Sequence, residues 1–97
     1  MTIFLSQESK KNLRKISIYL ASKFGRKTKD DFLNDVDEVL GLLLKNPYMG
    51  KSYQNNIYLF VVVKQVTLYY RIENKVIYII TFFDNRQNPE KLNELLN

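Results

Sequence analysis

The sequence predicts a single α+β domain. It reads as an N-terminal strand, an antiparallel helix hairpin packed on one face of an antiparallel sheet, and a short C-terminal helix. Three observations predict it. Apolar residues recur at helical spacing through residues 13–44. Residues 57–83 switch to short apolar or alternating runs parted by polar turns. Helices first and a meander after them leave two apolar faces that bury each other. At 97 residues the chain has room for one domain.

Thr2–Leu5 is a short candidate strand. Ser6 suits the N-cap of a first helix, with Glu8 in the first turn where the helix dipole favours an anion. Leu13, Ile16, Tyr19, Leu20 and Phe24 form its apolar face, Lys10, Lys11, Arg14 and Lys15 take other faces, and Gly25 stops it. Residues 26–29 read as a basic connection, with Thr28 capping a second helix whose first turn holds Asp30 and Asp31. Phe32, Leu33, Val36, Val39, Leu40, Leu43 and Leu44 make a wide stripe. The Asn46-Pro47 pair ends it, because the residue before proline is pushed out of the α region.

Residues 48–56 read as a polar loop. Three antiparallel strands follow, at residues 57–63, 66–72 and 76–83. In the middle one Val66, Leu68, Tyr70 and Ile72 alternate with Thr67, Tyr69 and Arg71, which predicts an open polar sheet face lined by the latter three. Residues 76–83 are apolar on both faces, so this strand is expected to be the most buried. Pro89 suits the first turn of a final helix over residues 90–96.

Composition narrows the chemistry. With no Cys and no His, thiolate chemistry and the commonest general base are excluded, and no metal or organic cofactor is expected. The longest apolar runs, residues 59–63 and 76–80, fall far short of a membrane span, and no secretory leader precedes the first amphipathic stretch, so a cytoplasmic protein is expected. The net charge of +5 is uneven. Residues 1–29 carry eight Lys and Arg against Glu8 alone, and residues 30–44 carry five acids and no base. A basic surface of this kind favours polyanionic partners.

Four stretches together resemble the RelE/ParE superfamily of bacterial type II toxins, over roughly residues 3–92. They are Ile16-Ser17-Ile18-Tyr19-Leu20 with Phe24-Gly25; Leu43-Leu44-Lys45-Asn46-Pro47 with Gly50; Val66-Thr67-Leu68-Tyr69-Tyr70-Arg71-Ile72; and Asp84-Asn85-Arg86-Gln87-Asn88-Pro89 with Lys91-Leu92. The last is the most specific and is ParE-like. The resemblance implies a toxin neutralised by a cognate antitoxin, in a toxin–antitoxin hetero-oligomer. It further implies one of two targets: DNA gyrase for ParE-like members, or ribosome-bound mRNA, cut by RelE-like members.

The RelE-like catalytic pattern, as the resemblance implies it, is poorly kept. Arg86 matches an Arg after the last strand and is the one catalytic candidate. No lysine occurs in residues 57–63, the sheet arginine position falls on Thr67, and no Tyr or His follows Arg86. Action by binding is therefore favoured over RNA cleavage, with a non-toxic binding module of the same fold as a third reading. Arg71, Arg86, Tyr69 and Lys64 are candidate target or nucleic-acid contacts, and Lys10, Lys11, Arg14 and Lys15 candidate contacts to the antitoxin or another polyanion. The plain alternatives are that Arg86 pairs with Asp84, that the tyrosines pack as strand residues, and that the lysines form a solvated helix face.

Overall fold

A computed structural model describes all 97 residues. The elements run β1 (Thr2–Leu5), α1 (Gln7–Phe24), α2 (Arg26–Lys45), β2 (Lys51–Gln54), β3 (Ile57–Val63), β4 (Val66–Glu73), β5 (Val76–Asp84) and α3 (Pro89–Leu96). They build one five-stranded sheet in the order β1-β5-β4-β3-β2.

Ser6 does cap α1: the Ser9 backbone N–H donates to its Oγ at 3.0 Å. The same hydroxyl donates to the Ile80 carbonyl at 2.8 Å, which ties the helix start to β5. The link between the helices differs from the expected four-residue connection. α2 begins at Arg26, directly after Gly25, and Thr28 lies inside the helix with its hydroxyl on the Phe24 carbonyl. Gly25 makes this possible with φ 99° and ψ 167°, a conformation essentially restricted to glycine.

The hairpin lays Ile16 of α1 and Phe32, Val36, Val39 and Leu43 of α2 on Val66, Leu68 and Tyr70 of β4 and Ile77, Ile79 and Phe82 of β5. Tyr70 is fully buried, yet its hydroxyl is satisfied: it donates to the Pro47 carbonyl at 2.9 Å and accepts from the Gly50 N–H at 3.1 Å. This fastens the turn after α2 to the centre of the sheet. A side chain at Gly50 would strike that hydroxyl and the Leu59 carbonyl, so the glycine in this turn is required by close approach.

Three sheet features depart from expectation. Residues 51–54, read as loop, form the edge strand β2, joined to β3 by a two-residue turn in which Asn55 and Asn56 both have positive φ. β1 runs parallel to β5, whereas the other neighbouring strands are antiparallel. Finally, the face expected to be open is covered. α3, capped by Asn88, drops Leu92 onto Ile57, Tyr69 and Phe83, with Leu95 and Leu96 alongside. Tyr69 is thereby buried, Thr67 is buried as well with its hydroxyl bonded to Asn85, and only Arg71 of the three expected face residues stays exposed. β4 is consequently as buried as β5. A bulge between Tyr69 and Tyr70 shifts the β4–β5 register. Thr81 and Phe82, consecutive in β5, both turn to the hairpin side: Thr81 accepts from Asn12 of α1 and Phe82 enters the main core.

Candidate functional site

The polar groups converge where the end of β5 meets α1. The Thr67 hydroxyl and the Asn85 side-chain amide bond each other, and the Asn85 N–H reaches the Gln65 carbonyl at 2.7 Å, so the chain leaves β5 along a fixed path. Arg86 follows. Its Nε and Nη2 donate to the two oxygens of Asp84 at 3.0 and 2.6 Å, a bidentate pair that holds the guanidinium plane. Its Nη1 donates to the Tyr19 hydroxyl at 3.0 Å, and the guanidinium lies 4.7 Å from that ring's centre. Lys23 sits one helical turn on, 5.8 Å from the same ring, and Lys15 and Gln87 border the hollow around Tyr19 and Arg86.

Charge is redistributed within the cluster. The Arg86 fork holds the Asp84 carboxyl below its ordinary range, and the carboxylate in turn strengthens Arg86's hold on its proton. The Arg86 hydrogen bond pulls the Tyr19 phenol down, and Lys23 adds to it. Tyr69 and Tyr70 move the other way because burial disfavours their anions. Next to the cluster lies an apolar cavity of about 240 Å³, walled by Ile16, Leu20, Phe24 and Val63, with Gln65 and Arg86 at its rim.

The structure separates the four residues predicted to contact a target. Arg86 and Lys64 lie at the same end of the sheet, where Val66 pairs with Asp84. Arg71 lies five residues along β4, about 17 Å away at strand rise, paired with Glu73 at 3.2 Å and over the Tyr78 ring. Tyr69 is buried beneath α3 and meets Tyr53 edge-on, so it offers no stacking surface. Lys10, Lys11, Arg14 and Lys15 are all exposed on α1. Tyr19 is the participant that sequence reasoning placed only on the apolar face. The spacing Lys15–Tyr19–Lys23, one residue per turn, was the available signal. No cluster of three or more acidic groups could hold a metal ion, and no helix is long and apolar enough to cross a membrane.

A family model for the ParE toxin of the type II toxin–antitoxin system parDE matches residues 3–89. The chain belongs to the ParE toxin family. It is thus a type II toxin, a class defined by pairing with an antitoxin. Solved structures agree on the fold. A chain of the chromosomal ParDE system from P. aeruginosa superposes at TM-score 0.74 with 16% identity, over 87% of this chain and 95% of that one. The YoeB dimer from Staphylococcus aureus superposes at 0.61, also with 16% identity, over 84% and 93%. No curated protein sequence matches the chain significantly. In this ParE-family chain the end of the sheet carries an arginine closed on Asp84 and Tyr19.

Proposed function

We propose that this ParE-family toxin acts by binding, with DNA gyrase as its cytoplasmic target, and that a cognate antitoxin neutralises it. One observation carries the reading: the Arg86 guanidinium is tied inside the chain, its Nε–Nη2 edge to Asp84 and its Nη1 to Tyr19. An arginine that stabilises a charged phosphorane has to present its donors to the phosphate, and three of these five N–H groups are engaged within the chain, which ties the guanidinium to Asp84 and Tyr19. The burial of Tyr69 against Leu92 of α3, and of Thr67 where it bonds Asn85, removes much of the sheet face on which an RNA substrate would lie. The family's ParE name and the P. aeruginosa ParDE fold support the same direction.

The test is a supercoiling assay with purified gyrase and full-length chain. Inhibition at micromolar toxin is expected, relieved by the antitoxin. Untouched supercoiling at that excess overturns the gyrase target. A second reading, ribosome-dependent cleavage of mRNA, is favoured by one feature: the Tyr19 phenol, beside Lys15, gives up its proton more readily because of Arg86, as a general acid must. Programmed ribosomes incubated with the chain decide it. Cut message abolished by Tyr19→Phe and by Arg86→Ala would replace the binding reading.

A further inference from the structure

Lys10, Lys11, Arg14, Lys15 and Lys23 take part in no ion pair. The start of α2 is the opposite case: Arg26, Lys27 and Lys29 each meet Asp30 or Asp31. Four of the unpaired cations, Lys10, Lys11, Arg14 and Lys15, are exposed within two turns of α1. Lys10–Arg14 and Lys11–Lys15 stand at i,i+4 and Lys11–Arg14 at i,i+3, the spacings at which like charges repel. The only acid on α1 is Glu8, and it lines a separate hollow with Phe4 and Leu96. This face is held charged against itself, and a polyanion relieves the repulsion.

We propose that this face of α1 binds the phosphate backbone of duplex DNA. The choice of DNA rests on the gyrase reading, since gyrase works on duplex DNA; the phosphate binding does not depend on it. Lys11 and Lys15 are about 6 Å apart along the helix axis. Phosphates repeat every ~3.4 Å of axis per strand, so the four cations span a few successive phosphates. The surroundings argue against single strands. Those are held by aromatic rings free to stack on bases, whereas the nearby Tyr19 ring is flanked by Arg86 and Lys23 and met edge-on by Phe24. They also argue against an acidic protein segment. Protein contacts are anchored by aromatic and Arg side chains seated in well-packed pockets, and between Glu8 and Lys23 the one exposed large apolar residue is Ile18.

The experiment is fluorescence anisotropy of a short labelled DNA duplex titrated with the full chain. Raising salt from about 50 to about 200 mM is expected to weaken binding about a hundredfold, from a slope near −0.9 per contact over four contacts. The double variant Lys11→Gln/Lys15→Gln is expected to flatten the slope by about two and to weaken low-salt binding at least about tenfold. Lys27→Gln/Lys29→Gln removes the same net charge from the paired region and is expected to leave binding within about twofold. Equal losses from the two double variants would show that net charge alone is read, and would overturn the proposal. So would no binding, or tighter binding of duplex RNA or of an acidic peptide. Gyrase inhibition without DNA binding sinks this proposal and leaves the gyrase reading standing. DNA binding without gyrase inhibition does the reverse.

Discussion

Adding one methyl group at Gly25 and at Gly41 should move stability in opposite directions. At neither position would a methyl group meet another part of the protein within 4 Å, so tertiary packing contributes nothing to the difference. At Gly25 the backbone sits at φ 99° and ψ 167°, a region that costs a residue with a side chain about 1–3 kcal/mol. Alanine recovers about 0.4–1 kcal/mol by restricting the unfolded chain. The net for Gly25→Ala is a loss of about 1–2 kcal/mol, or a drop in Tm near 8 °C at about 4–8 °C per kcal/mol for a domain of this size. Gly41 is exposed in the interior of α2. There Gly41→Ala should gain about 0.5–1 kcal/mol, the helical advantage of alanine. Urea unfolding followed by circular dichroism measures both, with unchanged m-values confirming that only stability moved. A Gly25→Ala midpoint at or above the parent's would refute the argument that glycine-only backbone, rather than a loop, turns α1 into α2.

Three further outcomes follow from the site and from α3. In a spectrophotometric titration Tyr19 should ionise ahead of Tyr69 and Tyr70, and Arg86→Gln should carry that early step upward toward the ordinary phenol range; an early step that survives the substitution would mean Arg86 does not cause it. The lowered Asp84 has the matching sign: its contribution to stability is present above the unfolded carboxylate range near pH ~3.9 and is lost as pH falls through its folded value, so Arg86→Gln should lose stability at neutral pH and converge with the parent in acid. Leu92→Ala should cost roughly 2 kcal/mol, at the low end for a buried leucine because α3 can lift off instead of leaving a cavity. Hydrogen exchange along α3 should then accelerate well ahead of α2, and equal protection of α3 in both proteins would count against its being held by that residue.

Much of the fold was legible in the sequence because its elements obey local rules. Residues 57–63, 66–72 and 76–83 announce themselves by β-branched and aromatic runs, within a residue of the strands observed, and Ser6 and Pro47 bracket the helices by capping and breaking. The misses have physical reasons. Lys51-Ser52-Tyr53-Gln54 carries no apolar alternation and all four residues are exposed; it is a strand because β3 offers an edge and Asn55-Asn56 turns the chain onto it. Thr28 before Asp30 and Asp31 imitates a cap, yet Gly25 had already started α2. Alternation also misled on β4, since Thr67 and Tyr69 read as a solvent face although Leu92 of α3 packs on Tyr69 and Asn85 bonds Thr67. At the site, Arg86 was visible as an Arg just after the last strand. Tyr19 was hidden because its ring belongs to the hairpin face while its hydroxyl reaches a residue 67 positions away.

The pairing of β1 with β5 ties the second residue of the chain to the seventy-sixth, and this fixes when the molecule can be finished during its own synthesis. The α1–α2 hairpin depends on near neighbours and can form as soon as residue 45 is free. Its sheet cannot, because the strands that cover Phe32, Val36, Val39 and Leu43 come afterwards. At a synthesis rate of roughly 5–20 residues per second, residues 46–84 take roughly 2–8 s. For that interval the nascent chain displays a greasy hairpin with a stranded first segment and no completed sheet end. Only when residues 76–79 have emerged can Thr2–Leu5 find their partners and the sheet close over the hairpin.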